Sequence, residues 1–354
     1  MLLLNPGPVT LTERVRSSLL KPDLCHRESE FFDLQDEAKQ RLLSVYALDP
    51  ALWSAVLMTS SGTGAVESMV AALVPVAGQL LVVDNGVYGE RIAQISSQYG
   101  IAHERLVGDW MRPPDLAALG ARLEGGRFTH VAIVHHETTT GRLNPLGPLS
   151  RLCREHGVGL LVDGVSSFGA ESIDFEDSSL TAVAGTANKC LHGVPGVSFV
   201  VARRAALAQA ASRTYYLDLS RLARLQDERG TPFTPAVHAY YGLVEALREF
   251  ADEGGRGARH GRYAALAEQV RAGLAERGIE GAIPADESSV VLRAYRLPAG
   301  ITYQTLHDAL KAEGFVIYAG QSNLSKTLFR ISTMGNLTSR DIERLLGCFS
   351  RLRG

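Results

Sequence analysis

Lys189 is the lysine whose neighbours along the chain look least like those of a solvated side chain. The sequence of 354 residues contains five lysines, and only this one follows a run of small and apolar residues, 182–188, and precedes a Gly-Val-Pro-Gly turn at 193–196. A lysine placed after a buried strand is costly unless its amine is paired or takes part in chemistry. The alternative is a side chain that extends its amine into solvent.

Asp163 is the second residue whose position suggests chemistry. It ends the apolar run 159–162 and precedes Gly164, which predicts an acid at the carboxyl end of a core strand. Ligands of α/β proteins bind at that edge of the sheet, although an aspartate there can also simply cap a turn. A lysine that forms an imine and an anion beside a pyridine nitrogen are what pyridoxal 5'-phosphate (PLP) requires. The pair Lys189 and Asp163 therefore predicts a PLP site.

Polar residues after other predicted strands match the remaining parts of that cofactor. Ser61, Gly62 and Thr63 lie between a strand and a helix, where backbone N–H groups and hydroxyls can receive a phosphate. Tyr88 follows the next strand and is placed to stack on a flat ring, unless it is only a packing aromatic. Thr140 closes a further strand with a hydroxyl suited to a ring phenolate or a substrate.

Two sequence patterns exclude other sites. The glycines near Ser61 are not followed by Gly-Lys-Ser/Thr, so the loop is not a Walker motif. His135 and His136 are adjacent, but no third ligand lies at a plausible spacing, and no metal site is expected.

The elements that must position these residues alternate along the chain. Helices are predicted at about 61–72, 88–99 and 149–156, between strands at 53–58, 80–84, 131–135, 160–163, 182–185 and 197–202. Short apolar strands alternating with amphipathic helices are typical of an α/β domain on a largely parallel sheet.

A second unit follows a predicted helix at about 235–253 and a glycine-rich break at 253–257. Its predicted helices are 264–277, 303–313 and 339 to about 352, and its strands are 290–295, 315–318 and 328–331. This pattern predicts a smaller α+β domain. The expected organisation is an N-terminal segment, 1–20, that packs with the small domain, a large domain, 21–250, and the small C-terminal domain, 251–354.

Composition bounds the partners and the compartment. Hydrophobic residues make up 45% and charged residues 21%, as in an ordinary globular protein, and the formal charge of −2 gives no field that would favour nucleic acid or an anionic membrane. No apolar run approaches the roughly 18 residues of a membrane span, and the N-terminus lacks the pattern of a signal peptide. The four cysteines are scattered, which predicts reduced thiols and a cytoplasmic location.

Taken together, the motifs resemble those of the class V, fold type I aminotransferases over nearly the whole chain. The shared strings include Asn-Pro-Gly-Pro at 5–8, Ser-Gly-Thr at 61–63, Asn-Gly-Val-Tyr-Gly at 85–89, Glu-Thr-Thr-Thr-Gly at 137–141 and Ala-Asn-Lys-Cys at 187–190. The last two strings are fairly specific to the branch that acts on 2-aminoethylphosphonate. The resemblance implies a large PLP-binding domain with a mainly parallel sheet of the seven-stranded type, and a smaller α+β domain.

The resemblance also implies a role for each matching position. Lys189 would carry PLP and shuttle a proton, and Asp163 would pair with the pyridine nitrogen. The phosphate would be held by Ser61, Gly62, Thr63 and Thr186. Tyr88 would stack on the ring, and Thr140 would contact its phenolate side. Thr234 would complete the phosphate site of a second subunit, which implies a homodimer, and Arg330 would bind a substrate carboxylate.

The expected reaction moves the amino group of 2-aminoethylphosphonate to pyruvate, giving phosphonoacetaldehyde and alanine. Departures from the pattern lie at 25–28, 318–321 and 331–335, so the substrate site follows it less well than the cofactor site. An alanine or serine:glyoxylate aminotransferase of the same fold is the nearest alternative. A PLP lyase or desulfurase and a non-catalytic PLP binder are further ones.

Overall fold

A computed structural model of the chain describes residues 1–351. The strands in this part of the chain are β1 (Leu2–Leu3), β2 (Trp53–Met58), β3 (Gln79–Asp84), β4 (Ala102–Val107), β5 (His130–Val134), β6 (His136–Glu137), β7 (Arg142–Leu143), β8 (Gly159–Asp163), β9 (Leu180–Thr186), β10 (Ser198–Arg203), β11 (Leu292–Arg296), β12 (Phe315–Val316), β13 (Tyr318–Ala319) and β14 (Leu328–Ser332).

The helices in the same range are α1 (Glu13–Ser18), α2 (Ser29–Ser44), α3 (Gly62–Leu73), α4 (Val87–Gln98), α5 (Leu116–Leu123), α6 (Leu146–Glu155), α7 (Arg204–Gln209), α8 (Leu219–Asp227), α9 (Val237–Asp252), α10 (Gly255–Ala275), α11 (Tyr303–Ala312) and α12 (Ser339–Arg351). Two short 3₁₀ turns cover Ala285–Glu287 and Ser322–Lys326. Within residues 1–351, no helix combines the length and apolar character needed to cross a membrane.

The central sheet has seven strands in the order β2-β10-β9-β8-β5-β3-β4. All neighbouring pairs from β9 to β4 are parallel, and only β10 runs antiparallel to its neighbours β2 and β9. The predicted α/β class with a mainly parallel seven-stranded sheet is confirmed. The carboxyl ends of β3, β5, β8 and β9 consequently meet along one edge.

Both faces of this sheet are covered, which explains the continuous apolar runs of its strands. In β2, Ala55 and Leu57 point into the core cluster on one face, and Val56 and Met58 point into the cluster on the other. Helices α2 and α9 pack on the first face, and α3 and α8 contribute to the second. A sheet held from both sides gives the residues at its edge a rigid base.

A smaller three-stranded sheet, β11-β14-β13, packs with α10 and α12 around a separate core cluster. The N-terminal strand β1 pairs in parallel with β12, and Leu4 lies in the same core cluster. The N-terminal segment therefore contacts the C-terminal part of the chain before it enters the main sheet.

Several elements differ from the sequence predictions. Helix α10 begins at Gly255 instead of about residue 264, because Gly254 and Gly255 complete the turn with φ values of +99° and +73° and the chain becomes helical at once. The single strand predicted at 315–318 is divided, since Phe315–Val316 pairs with β1 and Tyr318–Ala319 pairs with β14. The predicted end of the last helix at Leu352 lies outside the described residues.

Candidate active site

Strands β8 and β9 bring Asp163 and Lys189 to the same edge of the sheet. Asp163 is the last residue of β8 and pairs in register with Ala184 of its parallel neighbour β9. Strand β9 ends at Thr186, three positions before Lys189. Asp163 and Lys189 therefore both lie at the carboxyl edge of the sheet, as the positions of the predicted strands indicated.

The Asp163 carboxyl group is buried, with 7% of the residue exposed. Its Oδ1 accepts a hydrogen bond of 3.0 Å from the backbone N–H of Val165. Burial raises the pKa of Asp163 to about 6, although that hydrogen bond and the nearby charges of Arg91 and Lys189 act in the opposite direction. A bound cation or protonated ring nitrogen would stabilise the carboxylate form.

The Lys189 amine is partly buried and donates a hydrogen bond to the backbone carbonyl of Pro6. No acidic side chain in residues 1–351 lies within ion-pair distance of it. Burial lowers the pKa of Lys189 to about 8, and the opposing influence of Cys190 and Asp163 does not restore the ordinary value. An amine with a pKa near neutrality is available as a nucleophile and as a base.

The Ser61–Thr63 loop opens helix α3 beside these two residues. Ser61 is the N-cap residue, but its side chain makes no capping hydrogen bond, so the first N–H groups of the helix are left for another acceptor. A Cβ on Gly62 would lie 2.6 Å from Cγ1 of Val165, so only glycine fits there. The Thr63 hydroxyl accepts a hydrogen bond of 3.2 Å from Nη1 of Arg91. The Thr186 hydroxyl donates to Oδ1 of Asn188 at 2.8 Å.

Glu137 fixes the segment that carries Tyr88. Its buried carboxyl group accepts hydrogen bonds from the backbone N–H groups of Tyr88, at 3.2 Å, and Thr139, at 3.1 Å. Burial raises the pKa of Glu137 to about 7. A Cβ on Gly86 would collide with this carboxyl group, which explains the glycine at the start of α4. The Tyr88 ring lies 4.7 Å from the guanidinium carbon of Arg91.

Thr140 provides the observation that best tests the fit of a cofactor. The residue is fully buried, and its hydroxyl has no hydrogen-bond partner among the described residues. A buried hydroxyl without a partner costs about 1–3 kcal/mol, which a bound acceptor or donor would recover. With the Lys189 amine, the Asp163 carboxyl and the Ser61–Thr63 loop, this donor set fits the aldehyde, ring nitrogen, phenolate and phosphate of PLP.

Arg330 is held on its strand β14 by three acceptors. Nε donates to the carbonyl of Ala319 at 2.7 Å, and Nη1 donates to the carbonyl of Thr138 at 2.9 Å and to Oε1 of Gln321 at 3.1 Å. Nη2 makes no hydrogen bond to any of the residues 1–351, and the arginine is only 3% exposed. A fixed guanidinium whose Nη2 group is free can donate a hydrogen bond to a carboxylate oxygen.

Thr234 does not join the group around Lys189 in the described chain. It is exposed and lines a small cleft with Met58 and Thr59, and its loop is anchored by a hydrogen bond of 3.0 Å from the Ala236 N–H to the Thr59 hydroxyl. Its contribution to the site of a second subunit stays a prediction.

Three groups at the site were not identified from the sequence. Arg91 follows Tyr88 by three positions on one helix, a spacing that places both on one face and could have been noticed. Gln321 lies in a segment noted only as a departure, and its contact with Arg330 depends on the pairing of β13 with β14. The Pro6 carbonyl is 183 positions away from Lys189 and gives no local signal.

A seven-stranded, mainly parallel sheet with a lysine and an aspartate at its carboxyl edge is the fold of the fold type I aminotransferases. Solved structures agree: the chain superimposes on an alanine–glyoxylate aminotransferase from Nostoc sp. with a TM-score of 0.92 and 26% identity, covering 100% of this chain and 95% of the other.

Within that class, the aminotransferase class-V family model matches residues 23–345, and the chain belongs to this family, as the motifs predicted. The chain is 36% identical to a 2-aminoethylphosphonate–pyruvate transaminase of Bacillus cytotoxicus, over 99% of this chain and 97% of the relative. It is 37% identical to a protein of the same name from Aeromonas hydrophila, over 98% and 93%.

The lowered pKa of Lys189 predicts selective chemical labelling of the cofactor-free protein. Acylation of this amine should rise with pH to half its maximum near pH 8, because only the neutral amine reacts. The measurement is peptide mass spectrometry after brief treatment with acetic anhydride over a pH series. Lys311, on α11, gives the reference in the same digests. A rise at Lys189 that begins only well above pH 9 would contradict this description of the amine.

The raised pKa of Asp163 predicts that Asp163→Asn stabilises the cofactor-free protein at neutral pH. Between the unfolded pKa of 3.8 and the folded pKa of about 6, the folded state binds more protons, so stability falls as pH rises through this range. Above that range the substitution should raise the free energy of unfolding by up to about 3 kcal/mol, and below it the gain should disappear. Urea unfolding at several pH values measures this.

Asp174→Asn is the matched control for that experiment. Asp174 is exposed, and its Oδ1 accepts the same type of hydrogen bond, from the N–H of Glu176 at 3.0 Å. If both substitutions changed stability equally at all pH values, burial of the Asp163 carboxyl would not be the cause.

Proposed function

We propose that the protein is a PLP-dependent transaminase that moves the amino group of 2-aminoethylphosphonate to pyruvate, giving phosphonoacetaldehyde and alanine. The observation that carries the proposal is the arrangement of the Lys189 amine, the buried Asp163 carboxyl and the fixed Arg330 guanidinium around one edge of the sheet. The family membership and the similarity to two 2-aminoethylphosphonate–pyruvate transaminases support it.

Each part of the cofactor has a matching group in this chain. Lys189 would carry PLP, Asp163 would hold the ring nitrogen, and Thr140 would meet the phenolate side with its unpartnered hydroxyl. Tyr88 would stack on the ring. The phosphate would be held by Ser61, Gly62, Thr63 and Thr186. When bound, PLP supplies an electron-withdrawing ring that eases loss of a proton from the amine-bearing carbon of the substrate.

When its Nζ is not bonded to the cofactor, Lys189 would act on that proton. Its Nζ, with a pKa lowered to about 8, is neutral in a substantial fraction of molecules near that pH and can accept a proton from a carbon acid. The conjugate acid can return the proton at a neighbouring position. Asp163 stays an anion in this scheme, since a protonated ring nitrogen beside it would favour its carboxylate form.

Arg330 would orient the acidic substrates. Its free Nη2 group would donate to the carboxylate of pyruvate and, in the other half of the reaction, to the phosphonate of the amine donor. Gln321 holds Nη1 of Arg330 and also accepts a hydrogen bond of 3.2 Å from the Thr139 hydroxyl. These contacts keep the guanidinium from rotating, so the Nη2 group of Arg330 has a fixed position.

The assembly and the compartment are also proposals. Thr234 is exposed next to the aromatic side chains Tyr216 and Phe233, as expected of a residue that completes the phosphate site of a second subunit in a homodimer. The four cysteines are all free thiols, which fits the reducing environment of the cytoplasm.

A comparison of donor and acceptor pairs tests the reaction. With PLP-loaded protein, 2-aminoethylphosphonate and pyruvate should give alanine with a kcat/KM at least ~10² times that for alanine or serine with glyoxylate. The reason is that Arg330 would bind the phosphonate of the preferred donor, a group that alanine and serine lack. The measurement is steady-state product analysis by chromatography. A higher kcat/KM with serine or alanine and glyoxylate would assign the chain the other activity.

Substitution of Arg330 tests its role in binding the keto acid. In Arg330→Lys the KM for pyruvate should rise by roughly tenfold to a hundredfold, since a charge-assisted hydrogen bond of about 1.5–3 kcal/mol is lost, while PLP binding persists. Arg296→Lys, an exposed arginine on the neighbouring strand β11, is the control. An unchanged KM for pyruvate in Arg330→Lys would remove this residue from the substrate site.

A further inference from the structure

Arg91 reaches from helix α4 to the loop that opens helix α3. Its guanidinium carbon lies 4.7 Å from the centre of the Tyr88 ring, and its Nη1 donates a hydrogen bond of 3.2 Å to the hydroxyl of Thr63. One cation thus contacts both Tyr88 and Thr63, the third residue of the Ser61–Thr63 loop. Neither contact neutralises its charge.

The charge of Arg91 acts on the buried Asp163 carboxyl, but no carboxylate in residues 1–351 is a partner at ion-pair distance. Although Arg91 is partly buried, no carboxylate within residues 1–351 forms an ion pair with it. Arg105, on the adjoining edge strand β4, shows the usual arrangement, since it pairs with Asp84 and Glu90. A partly buried cation without a direct ion pair is unfavourable, so a position of this kind is suited to an anionic ligand.

The loop next to Arg91 is otherwise neutral. Residues 59–64 contain hydroxyls, backbone N–H groups and glycines but no lysine or arginine. A phosphate monoester carries close to two negative charges, and a planar guanidinium is the side chain best matched to its oxygens. Arg91 is placed to add the charge that the loop lacks.

We propose that Arg91 is the cationic member of the cofactor phosphate site and binds the phosphate monoester of PLP together with Thr63 and the N-terminus of α3. The inference rests on the proposed PLP cofactor. It adds Arg91 to the cofactor-binding residues, and this residue lies outside the sequence strings shared with the family. Arg91 contacts Thr63 in the loop that is proposed to hold the cofactor phosphate. We therefore favour that phosphate, and not the phosphonate of the substrate, as the ligand of Arg91.

Binding of PLP and of pyridoxal, which lacks the phosphate, separates this role from a structural one. Cofactor-free wild type, Arg91→Gln and Arg91→Lys are titrated with each compound, and the dissociation constants are followed by absorbance. Arg91→Gln should weaken PLP binding about tenfold to a hundredfold and leave pyridoxal binding within about twofold, with Arg91→Lys intermediate. Inorganic phosphate should enhance pyridoxal binding in wild type but not in Arg91→Gln.

Arg127→Gln is the matched control. Arg127 also lies over an aromatic ring, 4.9 Å from the centre of Phe128, but it pairs with Glu104 and precedes the amino end of β5, away from the site. This variant should bind both compounds as wild type does. Circular dichroism and thermal unfolding of Arg91→Lys and Arg91→Gln establish that the variants are folded.

Three results would overturn the inference. An equal loss of PLP and pyridoxal binding in both Arg91 variants would mean that Arg91 only supports Tyr88. Unchanged PLP binding combined with a higher KM for 2-aminoethylphosphonate would assign Arg91 to the substrate instead. Failure of the wild type itself to bind PLP would be a separate outcome, because it would remove the proposed cofactor and this inference together.

Discussion

The site depends on the burial of two ionisable groups, the Asp163 carboxyl and the Lys189 amine, neither of which has an ion pair within residues 1–351. If they formed an ion pair with each other, the charged forms of both groups would be stabilised. Both pKa values would then move away from neutrality, and the Lys189 amine would be a poorer nucleophile and base. Burial instead raises the pKa of Asp163 to about 6 and lowers that of Lys189 to about 8. Burying these groups without an ion pair is unfavourable, and the packing of the sheet on both faces keeps them in place despite it.

The N-terminal segment also fixes the position of the Lys189 side chain. Pro6 accepts the hydrogen bond of the Lys189 amine, and Gly7 passes so close that a Cβ there would lie 2.7 Å from Cδ of the lysine. The φ of Gly7 is +106°, a conformation that also favours glycine. Because β1 pairs with β12, this segment joins the small sheet to the lysine. Arg330, on β14, is thereby kept in a defined relation to the site.

The sequence predicted the parts of this account that depend on local pattern. The sequence alone shows one apolar strand that ends in Asp163 and another that is followed closely by Lys189. Parallel strands place their carboxyl ends at one edge of the sheet, so the two residues could be expected to lie near each other. Strand β4 was not predicted, since it is an edge strand in which three of the six residues, 102–107, are polar and none is fully buried. Contacts between distant segments, such as Pro6 with Lys189 or Glu137 with the Tyr88 backbone, depend on the assembled fold and have no signal in one sequence.

The central claim is that Lys189 is the residue that carries the cofactor. Borohydride reduction of the PLP-loaded protein, followed by proteolysis and peptide mass spectrometry, tests it directly, because reduction makes the lysine–cofactor bond permanent. We expect a phosphopyridoxyl group on the peptide that contains Lys189 and none on the peptides that contain Lys21, Lys39, Lys311 or Lys326. Modification of another lysine in place of Lys189, or of no lysine, would contradict it.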